Sequence, residues 1–387
     1  MLDLSRVLAG PYATMTLADL GAEVIKIEHP RGGDETRSWG PPFAGGESAY
    51  FLSVNRGKKS VALDLKAPEG RALALELGAG ADVVIENFRP GGAARLGLDY
   101  AAVRRRRPDV IYCTISGFGD REPRGRPGYD FTLQAESGLM SITGEPDGDP
   151  MKVGVAVVDV LTGLNAACAI LAALYRRQRT GEGERIDVSL LDSAFAALVN
   201  LAANALVTGE EPERHGNAHP SIVPYQPFRA ADGWVAVAAA NDSLFRRLCA
   251  ALGEPALATD ERYATNEARV RNRKSLVDEL ERIFAAHSTA EWLALLHAAG
   301  VPAGKIRGVG EALRSAGDAT WRFDHPAAGP LELVKAPFEL LSSPLVPGEP
   351  PPLLGEHTAE VLAAIGVDED RLAELAERGV IARPAAA

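Results

Sequence analysis

The sequence is poor in the residues from which disulfide frameworks and zinc sites are built. It has three cysteines in 387 residues. It contains no C-x-x-C pair and no H-E-x-x-H motif, so it carries no metal-site signature. Cys113, Cys168 and Cys249 lie far apart in apolar stretches, which is typical of buried thiols in a reducing compartment. We therefore expect a cytoplasmic protein without a metal site.

Acidic residues outnumber basic ones, 52 to 41, and long apolar runs are scarce. The net charge of −11 argues against a nucleic-acid partner, because phosphate binding needs clustered lysines and arginines. Residues 1–6 begin a strand and do not resemble a charged targeting leader. No apolar run approaches the ~20 residues of a membrane span. We expect small-molecule partners, and neither nucleic acid nor a membrane.

The glycine motifs of the common nucleotide-binding and hydrolase folds are missing. The first strand-to-helix turn, Ser5–Pro11, lacks the glycine triplet that lets a pyrophosphate approach the backbone. Neither G-x-x-x-x-G-K-[ST] nor G-x-S-x-G occurs in the chain. NAD enzymes, P-loop ATPases and α/β-hydrolases are therefore disfavoured.

Short β-branched runs alternate with helical segments in the first half of the chain. The strand-like runs are 24–28, 60–65, 82–88 and 109–116, and helices are expected to begin near Pro68, Pro90 and Asp99. This alternation predicts βαβ units and a parallel sheet. The predicted fold class is α/β, with a Rossmann-like large domain and a smaller α+β domain.

The composition changes after Leu206, where proline, glycine, histidine and charged residues replace the periodic pattern. Ser288 and Glu291 then form a capping box before an apolar helix. The predicted organisation is a large domain over 1–206, a linker and active-site loop over 207–227, a small α+β domain over 228–306, and a linker with a return to the large domain over 307–387.

One carboxylate stands between two apolar stretches. Asp159 follows the apolar run 153–158 and begins a long apolar segment, so its side chain is partly desolvated. One interpretation is that Asp159 caps the helix that follows, since aspartate is a favoured N-cap. The other is that it is a catalytic group, and the pattern alone leaves both open.

Seven segments resemble the class III CoA-transferases, and they run in order over nearly the whole chain. They are V-L-A-G-P-Y-A-T-M-T-L-A-D-L-G-A-E-V-I-K-I-E-H-P (7–30), G-D-E-T-R-S-W-G-P-P-F (33–43), N-R-G-K-K-S-V-A-L-D-L-K (55–66), E-N-F-R-P-G (86–91), I-S-G-F-G (115–119), G-Y-D (128–130) and P-P-P-L-L-G-E-H-T (350–358). Within this family, the second segment and S-I-V-P-Y-Q-P-F (221–228) are most similar to the succinate–hydroxymethylglutarate, or dicarboxylate, type.

The resemblance implies an interlocked homodimer that moves CoA from an acyl-CoA such as succinyl-CoA to a dicarboxylate. It implies no cofactor beyond coenzyme A, which is a substrate. The position that matches the family's nucleophile is Asp159, which would pass through an aspartyl anhydride and an aspartyl–CoA thioester. Asp130 matches a neighbouring carboxylate, for which positioning, acid/base assistance and a structural hydrogen bond all stay open.

The resemblance also implies a CoA site and an acceptor site. The CoA-site positions are Val7, Leu8, Ala9, His29, Leu63, Lys66, Asn87, Phe88, Arg95, Gly128 and Tyr129. Cations suit phosphates, and aromatic rings suit adenine or pantetheine. The acceptor candidates offer a positive charge, an aromatic ring or a hydroxyl, and they are Arg37, Trp39, His219 and Ser221. For His219 a turn role before Pro220 stays open.

Two other functions are compatible with most of these motifs. The 2-methylacyl-CoA racemases of the family place histidine at the position of Tyr129, and tyrosine, with a reference pKa near ~10, is a poor base at neutral pH. Racemase chemistry is therefore the weaker alternative. An inactive acyl-CoA-binding protein is the third possibility.

Overall fold

The computed structural model describes residues 1–119, 121 and 125–383. The chain divides into two compact units. The first contains Met1–Leu139, Lys152–Gly209 and Asp318–Ala387, and the second contains Met140–Met151 and Glu210–Gly317. The domain bounds expected from composition are not tested by this division and stay a prediction. Residues 384–387, at the end of the expected 307–387 segment, lie outside the described residues.

The elements follow one another as strands and helices over the described chain. The strands are β1 (Leu2–Asp3), β2 (Val24–Glu28), β3 (Phe43–Ala44), β4 (Glu47–Ser48), β5 (Lys58–Leu63), β6 (Val83–Glu86), β7 (Ile111–Ser116), β8 (Glu184–Ser189), β9 (Tyr225–Ala230), β10 (Gly233–Ala238), β11 (Ala303–Lys305), β12 (Thr320–His325), β13 (Gly329–Val334) and β14 (Ile381–Ala382). The α-helices are α1 (Ala9–Asp19), α2 (Ala49–Ser53), α3 (Pro68–Gly80), α4 (Gly92–Leu96), α5 (Tyr100–Arg106), α6 (Asp130–Glu136), α7 (Val157–Thr180), α8 (Leu190–Ala197), α9 (Val199–Thr208), α10 (Asp242–Ala251), α11 (Asn266–Arg271), α12 (Arg273–Phe284), α13 (Thr289–Ala298), α14 (Val309–Ala316), α15 (Thr358–Ala364) and α16 (Glu369–Glu377). Short 3-10 turns lie at Glu35–Ser38 and Pro255–Ala258.

The first unit is built on a sheet with the strand order β14-β5-β2-β1-β6-β7-β8. Its pairings are parallel except that of β14 with β5, which is antiparallel. Central strands such as β6 are buried along their whole length, as parallel strands covered on both faces must be. The predicted α/β class with a parallel sheet is confirmed.

The sheet separates two hydrophobic cores. Along β6, Val84 joins the core beneath α3, α5, α15 and α16, whereas Val83 and Ile85 join the core formed with α1, α7 and α8. This division follows from the alternation of side chains along a strand. The second core fixes α1 and α7 against the sheet, and both helices carry residues of the candidate site.

Helix α7 corrects two expectations. It is long and apolar enough, by length and composition, to cross a membrane, so the expectation that no apolar stretch approaches that length is wrong. One face of α7 packs in the core through Val158, Ala166 and Ile170, and the core helix of a soluble protein can have the same length and apolar composition.

The other face of α7 is open to solvent, so Cys168 is exposed, whereas Cys113 and Cys249 are buried. The expected burial of all three thiols is therefore wrong for Cys168.

The second unit combines the antiparallel sheet β11-β10-β9 with helices α10 to α13. Phe228 stacks on Phe284 with ring centroids 4.8 Å apart, and Trp292 packs against the same ring. The predicted capping box is confirmed, because Ser288 and Glu291 bond reciprocally at the start of α13. Strands β9 and β10 form an antiparallel hairpin that turns at residues 231–232.

Candidate active site

A cavity of about 460 Å³ opens in the first unit at the carboxyl ends of β1, β6 and β7. The chain leaves β1 toward β2 and β5 on one side, then returns to β6 on the other side. Open α/β sheets bind ligands in the crevice at such a switch point. The predicted residues that line the cavity are Val7, Leu8, Ala9, Asn87, Phe88, Gly128, Tyr129 and Asp159.

The turn after β1 is held in a strained conformation. Val7 has φ of 71°, and a β-branched residue in that region costs on the order of 1–3 kcal/mol. Its N–H lies 3.3 Å from both carboxylate oxygens of Asp34. The Asn87 amide accepts from the Arg6 N–H at 2.9 Å and donates to the Arg6 carbonyl at 2.8 Å. Asn87 therefore holds the backbone of this turn as well as forming part of the cavity wall.

A buried ion pair supports the same turn. The Lys26 ammonium donates to Asp34 Oδ2 at 2.9 Å and to the Ser5 carbonyl at 2.9 Å, and both charged side chains are fully buried. Burial alone would lower the pKa of Lys26, but the carboxylates of Asp34 and Asp3 outweigh it and raise that pKa. Burial likewise opposes ionisation of Asp34, yet Lys26 and the hydrogen bonds from Thr36 lower its pKa to about 2. Both groups are therefore charged at neutral pH.

Asp159 lies in the first turn of α7 but does not cap it. The helix begins at Val157 with Ala156 as its N-cap residue, so the capping interpretation of Asp159 is wrong. The acceptor comes from another helix, because Asp130 Oδ1 accepts from the Val158 N–H at 2.8 Å and from the Asp159 N–H at 3.3 Å. A carboxylate at this point satisfies free N–H groups and complements the helix dipole.

The Asp159 carboxyl is buried and unpaired. It is 8% exposed, and within residues 1–119, 121 and 125–383 no group donates a hydrogen bond to it. Burial, followed by the negative charge of Asp130, raises the pKa of Asp159 to about 7. Burial and then the charge of Asp159 also raise the pKa of Tyr50 to about 12. Desolvation of this kind is typical of carboxylates with chemical roles.

A glycine sets the distance between α7 and the turn after β1. A Cβ atom on Gly163 would lie 2.6 Å from the Ala9 carbonyl oxygen and 3.2 Å from the Tyr12 side chain. Any larger residue would therefore separate α1 from α7. Gly163 lies one helical turn after Asp159, so this close approach places Asp159 beside residues 7–9.

A second cavity of about 300 Å³ holds the other predicted CoA residues. Its wall contains His29, Leu63 and Lys66. It shares Arg6 and Phe88 with the first cavity, so the two adjoin. Lys66 is exposed at its edge, whereas Leu63 is buried at the end of β5. The structure thus brings together every predicted CoA residue except Arg95, which lies outside both linings with its guanidinium near Gly91.

Two predicted acceptor residues of the first unit lie outside both cavity walls. The Arg37 guanidinium donates to Glu28 at 2.7 and 2.8 Å and to Glu47 at 3.1 Å, and it stacks over the Phe51 ring. This geometry does not support the predicted acceptor role of Arg37, because its guanidinium N–H groups already donate to carboxylates of the protein. Trp39 is 38% exposed, and its ring meets Tyr50 edge-on at 5.1 Å.

His219 and Ser221 belong to the second unit. There the His219 Nδ1 accepts from the Ser221 N–H at 3.1 Å. This contact fits the turn role of His219 before Pro220. Arg273 donates to the carbonyls of His219 and Pro220 at 2.9 and 2.8 Å. This loop is thus fastened to helix α12, and its two side chains stay candidates for ligand binding.

The structure adds residues that were not predicted for the site. Arginines line the first cavity, and they are Arg6, Arg89, Arg121 and Arg126. Among the described residues none pairs with Arg89, whereas Arg6 pairs with Glu35 at 2.7 Å. These cations suit a polyanionic ligand. Their sequence signal was their position, since Arg89 lies within the matched segment 86–91 and the other three lie within two residues of a matched segment.

Known proteins resemble this chain in sequence and in fold over most of its length. A family model described as CoA-transferase family III matches residues 1–358. The chain is 46% identical to a succinyl-CoA:glutarate CoA-transferase from Mus musculus, over 98% of this chain and 89% of that protein. It is 46% identical to a succinate–glutarate CoA-transferase from Agrobacterium fabrum, over 94% of each. The crystal structure of a CaiB/BaiF family protein from Brucella suis aligns with a TM-score of 0.83 and 44% identity, over 94% of this chain and 97% of that chain.

Proposed function

The chain belongs to CoA-transferase family III, and on that premise we propose that it moves CoA from succinyl-CoA to a second dicarboxylate such as glutarate. The names of the similar transferases support this choice of donor and acceptor. The observation that carries the proposal is the buried Asp159 carboxylate, to which no described residue donates a hydrogen bond, in the wall of an arginine-lined cavity.

The first half of the proposed reaction transfers CoA to the enzyme. A carboxylate oxygen of Asp159 attacks the thioester carbonyl, the C–S bond breaks, and the CoA thiolate leaves with the electron pair. The product on the enzyme is a mixed anhydride of Asp159 and succinate. The thiolate then attacks the Asp159 carbonyl, the C–O bond breaks, and succinate leaves an Asp159–CoA thioester. Two easier acyl transfers thereby replace one difficult step.

The second half runs the same steps with a new acid. The acceptor carboxylate attacks the Asp159–CoA carbonyl and releases the thiolate, which then attacks the acceptor's acyl carbon and frees Asp159. No proton is gained or lost overall. Helix α1 begins at Ala9 without a side-chain cap, and its third residue, Pro11, has no N–H. We therefore assign the N–H groups of Ala9 and Gly10 to the developing negative charge. The α7 donors are already committed to Asp130.

The adjoining cavities suggest how CoA lies. We place the thioester in the larger cavity beside Asp159, the diphosphate near Arg6 and Arg89, and the adenine end in the slot that holds Lys66. Phe88 belongs to both walls, so it would pack along the middle of the ligand. His219, Ser221 and Trp39 remain proposed acceptor contacts.

One assay tests the proposed function. The protein is incubated with succinyl-CoA and a panel of acids that includes glutarate, mesaconate and oxalate, and CoA esters and intact protein mass are followed by mass spectrometry. We expect new dicarboxyl-CoA esters and a CoA adduct that maps to Asp159. Deuterium exchange at Cα of a 2-methylacyl-CoA without CoA transfer would indicate a racemase instead, and binding without turnover would indicate an acyl-CoA-binding protein.

The rate of adduct formation is expected to rise with pH. Asp159 must be ionised to attack, and its pKa is raised to about 7. Raising the pH from 6 to 8 should therefore increase the single-turnover rate about tenfold. The measurement is the rate of CoA adduct formation in succinyl-CoA excess across that range. A rate that stays flat would show that this carboxyl is not the ionising group.

We further propose that the enzyme is a cytoplasmic homodimer. Helix α9 has no buried residue, and Val199, Leu206 and Val207 are each at least 70% exposed. Such an apolar surface is typical of an interface, and the family resemblance points to a second copy of the chain. Light scattering should give twice the 40.9 kDa chain mass, and a Leu206→Asp variant should shift toward the monomer. A monomeric wild type would contradict the dimer, and cell fractionation tests the location.

A further inference from the structure

Gln134 is a buried amide on α6, next to Asp130, the residue that accepts hydrogen bonds from the start of α7. It lies on α6 one turn after Asp130, so both side chains point from the same helix face. The Gln134 side chain has no exposure to solvent. Its Nε2 donates to Asp130 Oδ2 at 2.6 Å and, more weakly, to the Val155 carbonyl at 3.4 Å, and its Oε1 accepts from the Val153 N–H at 2.8 Å. Every polar atom of the amide is therefore used.

These hydrogen bonds link Asp130 on α6 with residues 153–155, which lie more than 20 residues further along the chain. Asp130 is held at one oxygen by Gln134 and at the other by the Val158 and Asp159 N–H groups. Residues 153–155 lead directly into α7, and the same Gln134 amide fixes their backbone. Gln134 thus fastens both the carboxylate that caps α7 and the segment from which α7 starts.

We propose that Gln134 is a positioning residue of the transfer reaction, because it holds Asp130 and residues 153–155 together and thereby fixes the Asp159 carboxylate where the thioester is attacked. The inference rests on the proposed function for its effect on rate. Without the amide, Asp130 keeps only the hydrogen bonds to the start of α7 and loses the one that orients its second oxygen. The segment before the helix also loses the hydrogen bond from Val153. Displacement of a reacting group by about 1 Å can lower a rate about 100-fold.

A purely structural role and a positioning role give different kinetic results. If Gln134 only stabilised the fold, its loss would lower the amount of active enzyme but leave the KM for succinyl-CoA and the pH profile unchanged. If it acts through Asp130, its loss lowers kcat itself. It also moves the acid limb of the profile, since the field of Asp130 on Asp159 changes.

The test uses Gln134→Met, which keeps the side-chain length and removes the hydrogen bonds. Gln134→Glu keeps the acceptor for Val153 and loses the donor to Asp130, so it decides the question if the Met variant does not fold. The matched control is Gln178→Met at the exposed end of α7. We expect Gln134→Met to lower kcat about 10- to 100-fold with KM within about twofold, and to shift the acid-limb midpoint by about 0.5 pH unit or more. The control should behave as wild type.

A double-mutant cycle with Asp130→Asn tests whether Gln134 acts through Asp130. In that case the double variant should be no more than about threefold slower than Asp130→Asn alone. Multiplied rate losses, or a kcat for Gln134→Met within about threefold of wild type, would overturn the inference.

Hydrogen exchange separates this inference from the proposed function. Amide exchange in the peptide containing residues 153–159 should accelerate in Gln134→Met and remain unchanged in Gln178→Met, whatever reaction the enzyme catalyses. Unchanged exchange in Gln134→Met would overturn the positioning role by itself. A wild type that transfers no CoA would refute the function and leave the exchange result to decide on Gln134.

Discussion

Replacing Asp159 by asparagine is expected to abolish CoA transfer and to stabilise the folded enzyme. An amide cannot form the anhydride, so turnover should fall about 10⁴-fold or more, and the CoA adduct should disappear from the protein mass. The gain in stability follows from the cost of keeping an unpaired carboxylate buried beside Asp130. Loss of activity and gain of stability should thus arise from one substitution.

The stability effect has a defined pH dependence. In the unfolded chain an aspartate loses its proton near pH 3.8, whereas folded Asp159 keeps it up to about pH 7. Between these values the folded state binds more protons, so rising pH lowers the free energy of unfolding of the wild type, and the full penalty is present above pH 7. The pKa difference corresponds to about 4 kcal/mol at most.

Urea unfolding at pH 5 and pH 8 measures this dependence. The advantage of Asp159→Asn over wild type should grow by roughly 2–3 kcal/mol between the two pH values. Asp370→Asn, at an exposed position of α16, is the matched control and should show little change. An advantage that is equal at both pH values would indicate that the carboxyl is not desolvated as described, and an adduct that persists in Asp159→Asn would place the nucleophile elsewhere.

Replacing Asp34 by asparagine is expected to destabilise the first unit and weaken succinyl-CoA binding. The change leaves the Lys26 ammonium buried with its nearest partner gone, and breaking such a pair typically costs 3–5 kcal/mol, so we expect a loss of about that size. Because the pKa of Asp34 is lowered to about 2, its contribution is complete above pH 3.8 and is lost as the pH falls through about 2. The full effect should therefore appear at pH 7.

Binding should suffer because Asp34 also holds the strained Val7 turn. We expect the KM for succinyl-CoA to rise roughly tenfold while the pH profile of adduct formation keeps its midpoint. Glu360→Gln, which removes the exposed ion pair with Lys59, is the control and should cost less than about 1 kcal/mol. The paired variant Asp34→Leu/Lys26→Met should recover part of the lost stability. A single variant as stable as wild type would show that the pair does not hold the turn.

The CoA-site residues were predicted from the resemblance to a known family, and the ends of the parallel strands explain why several of them meet. Residues 7–9, 87–88 and 128–129 lie far apart along the chain, yet the parallel sheet brings the first two sets to one edge, where the cavity lies. That convergence follows from the βαβ pattern, which the sequence shows directly. Asp159 could be singled out for a different reason, because a carboxylate between two apolar runs is expected to be desolvated.

The rest depended on partners that no local pattern identifies. Arg37 looked like a free cation, but tertiary packing brings Glu28 and Glu47 to it. Asp159 looked like a helix cap, but Asp130 supplies the cap from α6. Gln134 had a weak signal, its i+4 spacing from Asp130, and that spacing acquires meaning only when α6 lies against the start of α7.

The crossing of α1 and α7 at Gly163 also indicates where this scaffold can be altered. Because the missing side chain at Gly163 sets the spacing between Asp159 and the turn after β1, that spacing is a property of two packed helices and not of a loop. Changes at this crossing therefore act on the position of Asp159 itself. Redesign at Gly163 should yield an enzyme that still holds CoA but keeps it out of reach of Asp159.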